Sequence, residues 1–232
     1  MSFQINPAAS PAGVRPSPAV VGALLSQAFL WMFAGLLLTA GVAFVVQSNA
    51  TVMNGVTSLW LPVVFGQLAL VWAIGLGIRR MSATLALGLF FVYAATLGFT
   101  VAVIASLYTV QSVATAFLSA AGMFGAAGIY GVTTKRSLAG IGGTLIIGVF
   151  GLLVAMLVNM VLASGFLGWI ISLIGVGIFT VLTAYDTQRI ASGSLVTMTG
   201  SLEKAAVMGA LSLYLDFVNL FLFMLRLFGS RR

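Results

Sequence analysis

The chain has 232 residues, 61% of them hydrophobic and only 6% charged, with a mean hydropathy of +1.20. A soluble domain carries roughly 25% charged residues, so this surface belongs in lipid and a water-soluble protein is excluded. Cysteine and histidine are absent, which removes disulfides, thiolate and imidazole metal sites and the usual base of a Ser-His or Cys-His enzyme, and the formal charge of +7 is read as Lys and Arg at helix ends, not as a nucleic-acid surface.

About 20 apolar residues span a bilayer, so the length leaves room for about seven helices with short loops and no soluble domain. Residues 1–19 form a polar tail with Pro7, Pro11, Pro16 and Pro18. It is expected to be extended and mobile, and it has no signal-peptide core, so no cleavage is expected. Residues 20–230 are expected to form one all-α transmembrane bundle. The first span runs from about Val21 to Val46 and is followed by an uncharged linker, Gln47–Ser58. The second, about Leu59–Ile78, ends at Arg79-Arg80, and the third covers about Leu85–Leu107. The fourth, about Val110–Val132, ends at Lys135-Arg136; the fifth covers about Leu138–Leu162. Ala163-Ser164-Gly165 is barely a loop, so the sixth span, about Phe166–Gln188, makes a tight hairpin with the fifth. A more polar stretch, Arg189–Lys204, leads to the last apolar segment, about Ala205–Phe228.

Basic residues set the orientation. With the N-terminus inside, the tail and inner loops hold Arg15, Arg79, Arg80, Lys135, Arg136, Arg189 and Lys204, seven of the ten, and the outer loops before the last segment hold none. A cytoplasmic N-terminus follows. The last segment breaks the pattern: a full span places Arg226, Arg231 and Arg232 outside, whereas re-entry keeps them inside. Its length favours seven full spans. The 27 glycines, dense in the fourth span at Gly122, Gly125, Gly128 and Gly131, are read as close-packing sites between helices.

The chain has three acids. Glu203 lies beside Lys204 in a polar stretch and is read as a surface charge. Asp186 lies near the inner end of the sixth span and Asp216 inside the last. A carboxylate in the bilayer core costs about 2.5–3.5 kcal/mol on insertion scales, so it must face the bundle interior, neutralised or paired. The sixth span enters the inner side from which the last departs, so the two acids lie at comparable depth, Asp216 somewhat deeper, and are able to meet. Carboxyls in contact share a proton and titrate as a unit, and they offer two hard oxygen ligands to a cation. Asp186 and Asp216 are therefore candidates for a pH-sensing pair and cation path. In a plainer reading, Asp186 pairs with Arg189, and Ser212 and Asn219 hold Asp216 from i−4 and i+3. Arg79 and Arg80 are either topology anchors or, for one of them, an electrostatic latch onto Asp186. No lysine lies in a span, which excludes a retinal Schiff base. Two membrane acids do not make a tight calcium cage, though they allow weak, transient passage.

Tyr185-Asp186-Thr187-Gln188, together with Ala210-Leu211-Ser212-Leu213-Tyr214-Leu215-Asp216-Phe217-Val218-Asn219-Leu220-Phe221, resembles the transmembrane Bax inhibitor motif family, including its bacterial members. The resemblance implies a seven-helix bundle with the last helix central. It implies a pH-sensitive calcium leak channel, with calcium as the transported ion and no cofactor. It further implies a hydrogen-bonded dyad of Asp186 and Asp216, an arginine latch at Arg80, and association with membrane-bound proteases. Here the second span lacks the acid that some relatives carry, which bears on any further cation contact in the pore. Two other functions compete with the leak channel. One is an interaction protein that modulates a membrane protease or survival signalling, with the tail as a contact. The other is an intramembrane aspartyl protease, disfavoured because Asp216 lies outside a Gly-x-Gly-Asp setting and no proline follows Pro62. Compact size without a long charged tail favours a bacterial inner membrane.

Overall fold

The computed structural model describes residues 17–230. Most of the expected tail lies outside the described residues, but its last positions open the first helix. Ser17 Oγ accepts from the Val20 amide, and Pro18 occupies the first turn, where its missing N–H costs nothing. Helix α1 covers Pro18–Ser48, α2 Ala50–Ser58, α3 Trp60–Gly77, α4 Ala83–Ser106, α5 Val110–Thr133, α6 Gly142–Leu162, α7 Gly165–Ala191, α8 Ser194–Thr199 and α9 Leu202–Phe228. Seven of these are long and apolar enough to cross a membrane, and they fall where the hydropathy places them.

Two short helices correct the sequence reading. The Gln47–Ser58 linker contains α2, started by Asn49, whose side chain accepts from the amides of Thr51 and Val52. The polar stretch 189–204 contains α8, set between Gly193 and Gly200 at φ +72° and +85°. That left-handed region is open to glycine without the steric cost a Cβ brings.

Helix α9 is the core. Its buried positions run around the whole cylinder, from Ala205 and Gly209 through Tyr214, Phe217 and Leu220 to Met224. It packs against α1, α4, α5 and α7, while α3 leans mainly on α4 and α6 on α7. Helix α6 leaves Ile147 and Val161 73% and 82% exposed, as a lipid-facing surface requires. The last helix is central, as the resemblance implies, within an inner ring of four helices and with α3 and α6 outside it.

Small residues permit the close approaches. A Cβ on Gly98 would collide with Val42 and the Thr39 carbonyl of α1. Two interior polar clusters are mutually satisfied, as a medium without water demands. Thr39 Oγ1 lies 2.9 Å from Gly35 O and 2.8 Å from Ala94 O, so the Tyr214 hydroxyl donates to it. Gln67 Nε2 donates to Thr96 O and Thr100 Oγ1 at 2.8 and 2.9 Å.

The last segment does not re-enter. Helix α9 is one unbroken run of 27 residues, about 40 Å at 1.5 Å per residue. Near its start, Lys204 Nζ donates to the Arg79 carbonyl beside the α3–α4 turn. Past its end, the Ser230 amide donates to Ser112 Oγ and the Ser230 carbonyl accepts from the Thr109 amide, at the α4–α5 junction. These junctions lie at opposite ends of α4, so α9 runs the full height of the bundle. Arg226 therefore lies at the end opposite Arg79, Arg80, Lys135 and Arg136, where its guanidinium packs on Phe223 and Met156.

Candidate functional site

Helices α7 and α9 run antiparallel, and their close contacts fix the register. A Cβ on Gly175 would strike Phe223, and one on Gly209 would strike Ile190 and Ala28. This pairing sets Asp186 level with Ser212, and Asp216 about one turn deeper, level with Thr183. Asp216 follows Gly209 by seven residues, so it shares the face that Gly209 turns toward α7 and α1. Helix α5 closes the site from the other side. Gly131 lies against the Ala184 backbone so closely that any Cβ there would overlap the carbonyl.

Both carboxyls are buried, Asp186 at 8% and Asp216 at 4% exposure. Asp186 Oδ1 accepts from Arg189 Nη1 at 2.9 Å, one turn along the same helix. The Ser212 hydroxyl approaches Asp186 from α9 without reaching hydrogen-bond geometry. Asp216 lies within electrostatic reach of Asp186, yet no hydrogen bond joins the two carboxyls among the described residues. Asp216 Oδ2 is buried with no partner among the described residues. An orphaned buried oxygen is costly and marks this position as strained relative to a satisfied core.

The other expected site residues are placed as follows. Arg80 is exposed, and its side chain makes no ion pair among the described residues, so the cation on Asp186 in this structure is Arg189. Arg79 is nearer the site in effect: its Nε donates to the Met198 carbonyl of α8 at 2.7 Å. Met198 Sδ in turn receives Arg189 Nη2 at 3.6 Å. Thus α8 is fastened on one side to the end of α3 and on the other to the arginine that holds Asp186. Tyr185 turns away from the pair, with Arg189 over its ring at 5.4 Å and its hydroxyl end against Gly142. Asn219 does not hold Asp216; its Nδ2 donates to the Leu215 carbonyl at 2.8 Å. Glu203 is an exposed residue in the first turn of α9, where a negative charge suits the helix dipole.

Met198 was missed in the sequence, and its only local signal was the pair of glycines bracketing Ser194–Thr199. Two carboxyls with one hydroxyl beside them fall far short of the six to eight oxygens of a storage-type calcium site. Among the described residues no group of three or more acidic, His or Cys ligands forms.

The last helix is central, as the motifs imply, and the two acids face each other from α7 and α9, but without the hydrogen bond between them or the Arg80 latch that the resemblance implies. The family model described as "Inhibitor of apoptosis-promoting Bax1" matches residues 21–232. The chain belongs to this family. Its relatives include Inner membrane protein YbhL of Escherichia coli K12, 43% identical over 214 residues that cover 90% of this chain and 92% of that protein. A Deinococcus radiodurans protein without an assigned function is 42% identical over 212 residues, 91% and 92% of the two chains. YrjE of Lactococcus lactis is 37% identical over 214 residues, 90% and 91%. Membership of this Bax inhibitor family spans the whole bundle, so both aspartates and α8 lie inside the shared region.

Proposed function

We propose that this integral membrane protein is a pH-sensitive cation leak channel of the bacterial inner membrane, with its N-terminus in the cytoplasm and calcium as the ion that passes. The observation that carries the reading is the arrangement of Asp186 and Asp216 on α7 and α9. They are buried, one turn apart and within electrostatic reach, at the end of the bundle where α8 is strapped across by Arg79 and Arg189.

Two interior carboxylates repel one another, and binding or losing one proton changes the charge of the pair by one. In the state described, Asp186 fixes Arg189, and Arg189 touches Met198 of α8. A proton on Asp186 removes the charge that holds Arg189. The arginine then loosens its grip on α8, which swings on Gly193 and Gly200 and uncovers the inner mouth. Acidification accordingly opens the path, and the freed carboxyl oxygens offer a passing cation brief, weak coordination of the kind conduction requires. Arg80 is suited to recapture Asp186 only after Arg189 has left it. No step calls for catalysis, and an enzymatic role is not part of the proposal.

Calcium uptake into dye-loaded liposomes tests it: the expected result is flux that rises on acidification and loses that dependence in Asp186→Asn. Unchanged flux and an unchanged pH profile in that variant would remove the basis of the proposal.

A further inference from the structure

At the same end of the bundle lies a cavity of about 580 Å³ between the α5–α6 turn and the end of α7. Lys135, Arg136 and Arg189 line it with Ser192 and Ser194, and no acid is among its lining residues. The turn is pinned in place: Gln188 Nε2 donates to the Arg136 carbonyl at 2.9 Å, and Gln188 Oε1 accepts from the Leu138 amide at 2.7 Å. The side chains of Lys135 and Arg136 make no hydrogen bond or ion pair among the described residues. Among the described residues the one carboxylate engaged with a lining cation is Asp186, and it takes Arg189 Nη1 alone.

A second cavity, about 410 Å³, lies beside it along α5. Val132 lines both. This groove runs between Phe29 of α1 and the stretch of α5 from Phe124 past Gly125, Gly128 and Ile129 to Val132, about 12 Å along the helix axis at 1.5 Å per residue. Its glycines keep it open. A Cβ on Gly125 would meet nothing within 4 Å, and one on Gly128 only ordinary contacts with Thr187 and Phe29 at 3.8 and 3.9 Å.

We propose that this joint is a binding site for an anionic glycerophospholipid, its phosphate between Lys135, Arg136 and Arg189 and an acyl chain along the α1–α5 groove. A basic pocket between membrane helices suits an anionic headgroup. The groove beside it has one polar lining side chain, Thr133, whose hydroxyl donates to the Ile129 carbonyl, and otherwise matches a hydrocarbon chain. Arg189 offers the headgroup Nη2, whose present neighbour is the Met198 sulfur. The assignment stands on the two cavities and holds independently of ion conduction.

Native mass spectrometry of the full chain tests it, after equilibration in micelles containing equal phosphatidylglycerol and phosphatidylcholine. The wild type is expected to retain one phosphatidylglycerol in preference to phosphatidylcholine. Arg136→Gln, which removes one charge-assisted contact, is expected to weaken that retention about tenfold. Arg80→Gln removes one charge at the same end but outside the cavity, and is expected to leave it unchanged. Gly125→Leu, whose Cβ meets nothing within 4 Å, places its side chain in the groove and is expected to abolish retention; thermal unfolding reports that each variant is folded. Equal retention of both lipids, or equal losses in Arg136→Gln and Arg80→Gln, overturns the site. So does a rise in Tm with inorganic phosphate that matches the rise with phosphatidylglycerol and survives Gly125→Leu, since the site would then serve a free anion.

Discussion

Arg189 Nη1 lies 2.9 Å from Asp186 Oδ1, whereas Asp216 Oδ2, one turn deeper, is buried without a partner among the described residues. The pair is therefore asymmetric, and its two members respond differently to substitution. Arg189→Gln removes the counter-charge of Asp186 and one fastening of α8. Flux at neutral pH is expected to rise toward the acid level, and the pH profile to flatten. The stability loss is expected to be about 1–2 kcal/mol, near the low end for hydrogen bonds to charged groups because the Arg189 side chain is 29% exposed. Flux assays paired with thermal unfolding in detergent check both expectations.

Asp216→Asn behaves in the opposite way. The orphaned oxygen contributes no hydrogen bond to lose, so stability is expected to be unchanged or slightly higher while the pH response disappears. A fall in Tm comparable to that of Arg189→Gln would show that Asp216 has a structural partner.

Helix α8 turns on residues in left-handed geometry. At Gly200, φ is +85° and a Cβ would meet nothing within 4 Å, so Gly200→Ala acts through the backbone alone. It is expected to cost about 1 kcal/mol and to raise flux at neutral pH by unsettling the strap. An unchanged flux with the expected stability loss would detach α8 from gating.

Close packing behind the site makes a sharp contrast between neighbouring glycines. Gly131→Ala forces a methyl into the Ala184 backbone, two residues from Asp186, and is expected to cost about 1–3 kcal/mol. Gly128→Ala meets only ordinary contacts and is expected to be near neutral. Thermal unfolding of both in the same detergent decides.

Much of this was legible in the sequence because lipid imposes simple rules. Spans of apolar length, basic pairs at Arg79-Arg80 and Lys135-Arg136, and two interior acids are each visible without coordinates. Geometry that depends on register was not. Ser212, placed beside Asp216 by i−4 spacing, instead faces Asp186 across the α7–α9 contact. Asn219, placed likewise by spacing, bonds its own helix backbone. The Arg80 latch on Asp186 is what the family resemblance implies, whereas in this state Arg189, one turn along α7, holds that carboxyl. Helices α2 and α8 escaped because nine and six residues are too short to show a hydropathy period. Their signals are local: Asn49 as a cap, and glycines at both ends of Ser194–Thr199. The choice between re-entry and a full span needed the contacts of Lys204 and Ser230 at opposite ends of α4.

Gating of a cation path by proton exchange at the Asp186–Asp216 pair is tested by calcium flux into dye-loaded liposomes between about pH 6 and 8, wild type beside Asp216→Asn. Flux is expected to increase on acidification in the wild type and to show a flat profile in the variant. Flux no greater than in empty liposomes from protein shown to be folded, or a pH dependence that survives Asp216→Asn, would contradict it.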